Sequence, residues 1–253
     1  MLRRELEYFF GAIRFFTRLP VPGWVGHSAE ALNRSARYFP AVGLLVGGIG
    51  ALVFIGAALL WPQPVAVLLS LVATIYATGA FHEDGLSDTV DGLGGGWDKL
   101  RILEIMKDSR VGSYGVVAMV LALLGKFTLL SALDAALVPF ALLAGHALSR
   151  FCATVLLATM DYVREDLLSK AKPLATRLSA GEMAVALAFV LGALALLPPE
   201  QALAGCALAA FATLWLARKF RRWLGGYTGD CLGAVQQVSE IAFYLGLLAH
   251  WGR

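Results

Sequence analysis

The sequence predicts an all-α integral membrane protein, a polytopic helical bundle, and three observations predict it. Apolar residues make up 58% of the 253 residues and charged residues only 15%, against roughly 45–50% and 25% in an ordinary soluble domain. Mean hydropathy is accordingly +0.71. Apolar runs approaching the roughly 20 residues of a bilayer crossing recur along the chain, and the Lys and Arg residues collect in alternate connections between them. This composition excludes a disordered chain, a collagen-like fibre and a disulfide-knit secreted domain. No hydrophilic block is long enough to fold alone, so residues 1–253 read as a single membrane-embedded domain.

The elements follow in order. Residues 1–37 form an N-terminal segment beginning MLRRELEYFFGAIRFFTRLP. Its apolar core is short, is interrupted by Arg14 and lacks a small-residue cleavage site, so it reads as an amphipathic helix on the membrane surface rather than a signal peptide. Phe9, Ile13 and Phe16 would face lipid. About seven transmembrane helices follow, at about 38–60, 64–81, 113–133, 136–158, 183–198, 201–217 and 232–250. Pro62 and Pro64 break the first pair, and Pro198-Pro199 marks a tight turn between the fifth and sixth. Gly43 and Gly47 form a small-xxx-small pair suited to close helix packing in lipid. Cys152, Cys206 and Cys231 are too few and too widely spaced for a zinc site and read as small packing residues.

Orientation follows from charge. Of the 21 Lys and Arg residues, all but Lys126, Arg150 and Arg253 fall in 1–37, 82–112, 161–181 or 218–230, which places the N-terminus and these three loops in the cytoplasm. The net charge of +3 is thus a topology signal rather than a nucleic-acid-binding one. Lys126 lies toward the outer side and reads as a snorkelling residue.

The chemistry concentrates in FHEDGLSDTVDGLGGGWDKLRILEIMKDSRVGSYG, residues 81–115. Seven of the chain's 18 carboxylates lie between positions 83 and 108, and 82–98 contains no basic residue to balance them. If 82–91 continues the preceding span, Asp84, Asp88 and Asp91 are spaced i, i+4, i+7 and form one stripe bordered by Glu83. Stacked like charges destabilise a helix, and a divalent cation removes the conflict. Mg²⁺ takes oxygen ligands and is commonly held by one or two carboxylates together with substrate phosphates. Glu83, Asp84, Asp88 and Asp91 are therefore the candidate metal ligands, with Asp88 and Asp91 the candidate catalytic carboxylates. Gly92, Gly94, Gly95 and Gly96 match neither phosphate-binding glycine motif; they read either as a flexible helix terminator or as backbone that approaches a phosphorylated ligand. Lys107 and Arg110 face the acids across a short loop and suit phosphate contacts.

Two further places stand out. His146 and Arg150 are i, i+4 on the fourth span, where Arg150 would line a cavity and meet a carboxylate or phosphate and His146 would pack with a hydrogen bond. In GGYTGDCLGAVQQVSE, residues 225–240, Asp230 is either an N-cap or a further carboxylate of the site.

At these residues the chain resembles the cobalamin synthase (adenosylcobinamide-GDP ribazoletransferase) family. The resemblance rests on the 81–115 block, GHALSR at 145–150, GGYTGDCLGA at 225–234, FFTRLPVP near the N-terminus, Tyr38-Phe39-Pro40 and Gly43. It implies an enzyme of the bacterial cytoplasmic membrane. A hydroxyl of α-ribazole or its 5′-phosphate attacks the cobinamide-side phosphorus of adenosylcobinamide-GDP, GMP leaves, and adenosylcobalamin or its 5′-phosphate forms with Mg²⁺ as cofactor. Carried onto this sequence, Glu83, Asp84, Asp88 and Asp91 would bind metal, one of them, Asp91 first, would accept the hydroxyl proton, and Lys107, Arg110 and Arg150 would contact phosphate, with His146 and Asp230 beside the substrate. Homo-oligomerisation and association with other B12-pathway enzymes stay open. A CDP-alcohol phosphotransferase is the neighbouring reading, but its DGxxAR pattern breaks where Asp84-Gly85 is followed by Leu86-Ser87-Asp88. A cation-coupled transporter would place its acids at mid-membrane rather than at a helix end.

Overall fold

The computed structural model describes residues 2–26, 28–163 and 178–249. Arg164, Lys170, Lys172 and Arg177 of the basic loop 161–181, and Arg253, lie outside the described residues. The regular elements among the described residues are helices: α1 (Leu2–Phe16), α2 (Ala29–Ser35), a 3₁₀ turn, α3 (Phe39–Ala58), α4 (Gln63–Thr78), α5 (Phe81–Gly95), α6 (Lys99–Ile105), α7 (Ser113–Ala132), α8 (Val138–Thr159), α9 (Ala180–Leu194), α10 (Pro199–Trp223) and α11 (Gly229–Leu247).

The expected seven spans reduce to fewer. Among the described residues, four helical stretches are long and apolar enough to cross a membrane: 31–58, which runs through the 3₁₀ turn into α3, and α7, α8 and α10. The apolar helix α9 is short, and α4 and α5 qualify only together, across an 86° bend. Helix α11 falls short because one of its faces carries Gln236, Gln237 and Glu240, all buried. It is the central element of the bundle, packed against α5, α7, α8 and α10.

The bend corrects the expectation that the acidic stretch prolongs the second span. Gly79 and Ala80 both adopt left-handed backbone, φ 67° and 59°, which glycine takes freely and alanine only at a cost of about 1–2 kcal/mol. Two such residues in succession end α4 and send α5 off in a new direction. Arg18, from the chain after α1, lies across the elbow and donates its backbone N–H to Ala77 O at 2.8 Å.

Glycines set the helix crossings. A methyl group on Gly47 would lie 2.6 Å from Leu142 O, and one on Gly43 would collide with His146 O, so α3 and α8 meet backbone to backbone through the small-xxx-small pair. The crossing of α5 and α11 is similar, since a Cβ on Gly85 would lie 2.9 Å from Asp230 O and 3.2 Å from Gly233 Cα.

The amphipathic N-terminal helix exists, but its apolar face covers protein rather than lipid. Ile13 and Phe16 are buried, Phe16 meets Phe39 edge-on at 4.5 Å and stacks on His82 at 5.4 Å, and Phe9 packs edge-on against Tyr38. An amphipathic period marks a face to be covered without naming the cover. Arg37 adds a polar tie, contacting Glu5 at 3.4 Å and Glu182 of α9 at 2.5 Å.

Candidate active site

The three aspartates of the acidic block keep their expected spacing on α5, but their surroundings change along it. Asp84 is exposed, Asp88 half-buried and Asp91 buried, because the start of α7 closes over the last of them. Asp91 Oδ2 accepts from Gly112 N at 2.7 Å and Oδ1 from Gly115 N at 2.8 Å. Gly112 is the N-cap of α7, so one carboxylate satisfies two of the N–H groups that a helix start leaves without intrahelical partners. It also sets negative charge against the positive end of that helix dipole. Cβ atoms on Gly112 or Gly115 would collide with this carboxylate. The geometry therefore gives Asp91 a capping task in place of the catalytic and metal-binding roles expected from its spacing.

Of the glycines after it, Gly92, Gly94 and Gly95 belong to α5 and Gly96 is its C-cap. A Cβ on Gly92 would lie 2.5 Å from Met106 Cγ, and one on Gly96 2.5 Å from Ile102 Cγ1; the bare backbone lets α6 fold back on the end of α5. Asp98 caps α6, accepting from Arg101 N at 3.1 Å. Between the end of α5, α6 and the start of α7 lies a cleft of about 340 Å³, lined by Asp91, Arg101, Glu104, Asp108, Arg110 and Tyr114 among others. Arg101 pairs with Glu104 at 2.7 Å and Arg110 with Asp108 at 2.6 Å. Hydrogen bonds from the Arg110 side chain and backbone, the first the stronger, hold the Asp108 carboxyl at about 2. Both pairs are solvent-exposed and so weak, which leaves the two arginines able to exchange a carboxylate for an anionic ligand. Lys107 is exposed nearby.

Glu83 turns the other way, into the bundle, where a buried polar network joins four helices. Its Oε1 accepts from Gln237 Nε2 at 3.0 Å, and Gln237 Nε2 also donates to Gln236 Oε1 at 2.8 Å. Gln236 Nε2 donates to Glu240 Oε2 at 2.5 Å and to Ser149 Oγ at 3.0 Å. Glu240 Oε1 receives Lys126 Nζ at 3.0 Å and Tyr244 OH at 3.1 Å. Arg150 is 2% exposed and donates to His146 O at 3.0 Å, with its Nη1 3.2 Å from His146 Nδ1. The same His146 Nδ1 lies 3.6 Å from Glu240 Oε2, between the guanidinium and the carboxylate. Arg150 thus faces the interior as its spacing suggested, and His146 is its packing partner. Within this network Glu83 Oε2, Gln237 Oε1, Arg150 Nε, and Nε2 of His82 and His146 have no hydrogen-bond partner. Buried polar atoms are seldom left without a partner, so these are positions where water or a polar ligand group would bind.

Lys126 does not snorkel; it is 3% exposed and bound to Glu240. Asp230 is not the N-cap of α11, a position held by Thr228, which accepts from Cys231 N at 3.3 Å. It occupies the first turn, where the Gly85 crossing brings its backbone against α5. Sequence reasoning passed over His82, Lys126, Gln236, Gln237 and Glu240 as functional residues. The available signal was the run Gln236-Gln237 followed by Glu240 inside a stretch scored as apolar.

The oxygen-rich face of α5 is compatible with Mg²⁺. Among the described residues no three His, Cys, Asp or Glu side chains converge on one point, which argues against an all-protein metal cage and against the four-carboxylate cluster. It suits a cation held by one or two carboxylates with water and phosphate completing its shell. Asp84 and Asp88, one turn apart on α5, are the candidate ligands on its outward side, and Glu83, whose Oε2 is unpartnered, is the candidate on the bundle side.

Comparison with known proteins places these features in a lineage. The chain is 49% identical over 259 residues to an adenosylcobinamide-GDP ribazoletransferase of Shewanella amazonensis, covering 99% of this chain and 98% of the relative. A protein of the same name from Shewanella frigidimarina is 48% identical, covering 97% and 95%, and one from Polaromonas naphthalenivorans is 45% identical, covering 96% and 97%. No solved structure matches. The family model for cobalamin-5-phosphate synthase matches residues 8–248, which takes in the acidic helix, the arginine-lined cleft and the buried network alike, and the chain belongs to that family.

Proposed function

We propose that this chain transfers the cobinamide phosphate of adenosylcobinamide-GDP to a hydroxyl of α-ribazole or its 5′-phosphate, releasing GMP; the name of its relatives, adenosylcobinamide-GDP ribazoletransferase, supports the two substrates. The observation that carries the reading is the adjacency, along one helix, of accessible carboxylates at Asp84 and Asp88 and a cleft lined by Arg101 and Arg110. In the transfer, the ribazole oxygen forms a bond to the cobinamide-side phosphorus as the bond from that phosphorus to the GMP oxygen breaks. Breaking a diphosphate in this way depends on alignment and charge neutralisation more than on covalent help from the protein.

The chain's residues divide that work. Arg110 and Arg101 bind phosphate oxygens by releasing their exposed carboxylate partners, and Lys107 adds charge at the same mouth. One or two of Glu83, Asp84 and Asp88 would hold Mg²⁺, which when bound would offset charge on the diphosphate and on departing GMP. The hydroxyl proton passes to Asp88, half-buried one turn before the cleft. Asp230 borders α5 on the side of α11. The Arg150–His146 pair supports the interior edge of the site. The basic loops and the apolar helices support a cytoplasmic-membrane location with the cleft on the cytoplasmic side.

The test uses purified protein in detergent or lipid with adenosylcobinamide-GDP and α-ribazole 5′-phosphate, with and without Mg²⁺, and quantifies GMP and corrinoid product. Stoichiometric, Mg²⁺-dependent formation of both is expected. Folded protein that yields neither overturns the assignment of substrates, and turnover undiminished by chelation overturns the metal.

A further inference from the structure

The buried network has a direction, and it ends on the acidic motif. Glu240 is surrounded by donors: Lys126 Nζ, Tyr244 OH and Gln236 Nε2. An acceptor-only carboxylate forces the amide nitrogen of Gln236 toward it, which turns Gln236 Oε1 toward Gln237. Gln237 must then present its own nitrogen, and the second hydrogen on that nitrogen reaches Glu83 Oε1 at 3.0 Å. A flip of the Gln237 amide would set oxygen against oxygen at both contacts. Its orientation is therefore dictated from the far end of the chain of bonds, although its own Oε1 gains no partner.

We propose that Gln237 is a positioning residue for the transfer reaction: it engages one oxygen of Glu83 and so presents the other, Oε2, as an open, fixed acceptor, under an orientation set by the Lys126–Glu240 pair. The inference rests on the reading that Glu83 belongs to the metal and substrate site. Glu83 is 6% exposed with Oε2 unpartnered, an arrangement that costs stability unless a ligand completes it. Residues that orient a ligating side chain commonly change affinity or activity by about 10- to 100-fold when removed.

A double-mutant cycle tests this. Gln237→Leu, Glu83→Gln and the double variant are compared for turnover, for Mn²⁺ affinity measured with Mn²⁺ alone, and for thermal unfolding in detergent. If Gln237 acts through Glu83, Q237L lowers kcat or Mn²⁺ affinity about 10- to 100-fold in the wild-type background and has no further effect in the E83Q background. A residue that merely holds the bundle together shifts the unfolding temperature in both backgrounds and lowers activity additively, and that result overturns the proposal. Wild-type turnover in E83Q overturns the placement of Glu83 itself, and wild-type protein that binds no Mn²⁺ overturns the metal reading, so these failures are told apart. Should Q237L not fold, Glu240→Gln carries the same test from the other end, because a neutral amide no longer dictates the Gln236 flip. Its effect, too, must vanish in the E83Q background.

Discussion

Replacing Asp91 with alanine removes both hydrogen bonds that hold the first turn of α7. The two bonds are 2.7 and 2.8 Å long and run from backbone N–H groups to a carboxylate. Hydrogen bonds to a charged partner contribute about 1.5–3 kcal/mol each, so the lower figure taken twice puts the loss at about 3 kcal/mol, roughly two orders of magnitude in the unfolding equilibrium. Asp91→Asn keeps one acceptor oxygen and sets an amide nitrogen against the other N–H, for about half that loss. Unfolding in detergent, followed by far-UV circular dichroism, measures both variants, and turnover is measured on the same preparations. Turnover should decline in step with stability, least in D91N. If D91A unfolds within about 0.5 kcal/mol of the parent protein yet has no turnover, the capping argument fails and Asp91 acts on substrate or metal.

Lys126→Met leaves Glu240 buried without its ion-pair partner and should destabilise the bundle by about 3–5 kcal/mol, measured by the same unfolding; a loss below about 1 kcal/mol would return Lys126 to the membrane surface. Arg110 holds the Asp108 carboxyl at about 2, below its ordinary 3.8. The folded-state pKa is depressed, so this contact contributes fully above pH 3.8 and is lost as pH falls toward 2. Arg110→Ala should return the Asp108 titration, followed by carboxyl ¹³C NMR, toward 3.8 and should weaken diphosphate binding at neutral pH; an unmoved titration would show another cause for the shift.

Much of the architecture was legible because it is local. The Gly43 and Gly47 spacing announced a close crossing and α3 meets α8 there; the i, i+4 spacing of His146 and Arg150 announced a shared face, and they touch. The acidic block stood out by its charge imbalance alone, and it forms one helix, α5, beside the arginine-lined cleft. What escaped depends on partners distant in sequence. Nothing near Lys126 shows that Glu240 waits for it, and nothing near Asp91 shows that it caps α7. Helix α11 read as a span because its polar residues are scattered among apolar ones along the sequence, whereas in three dimensions they line one buried face. The elbow at Gly79-Ala80 was hidden for a different reason: alanine ordinarily continues a helix, and only the packing of Arg18 and α1 around the turn makes its left-handed conformation tolerable.

That elbow makes α5 a beam anchored at both ends. One end is clamped by two successive left-handed residues, the other by the carboxylate of Asp91 on the head of α7, and Gly85 seats the middle directly on α11. A helix held at three points has little freedom to tilt or rotate. Whatever binds beside it then meets backbone that stays in place under Asp84 and Asp88. On the proposed reading, the fold thereby offers the diphosphate a stationary ledge.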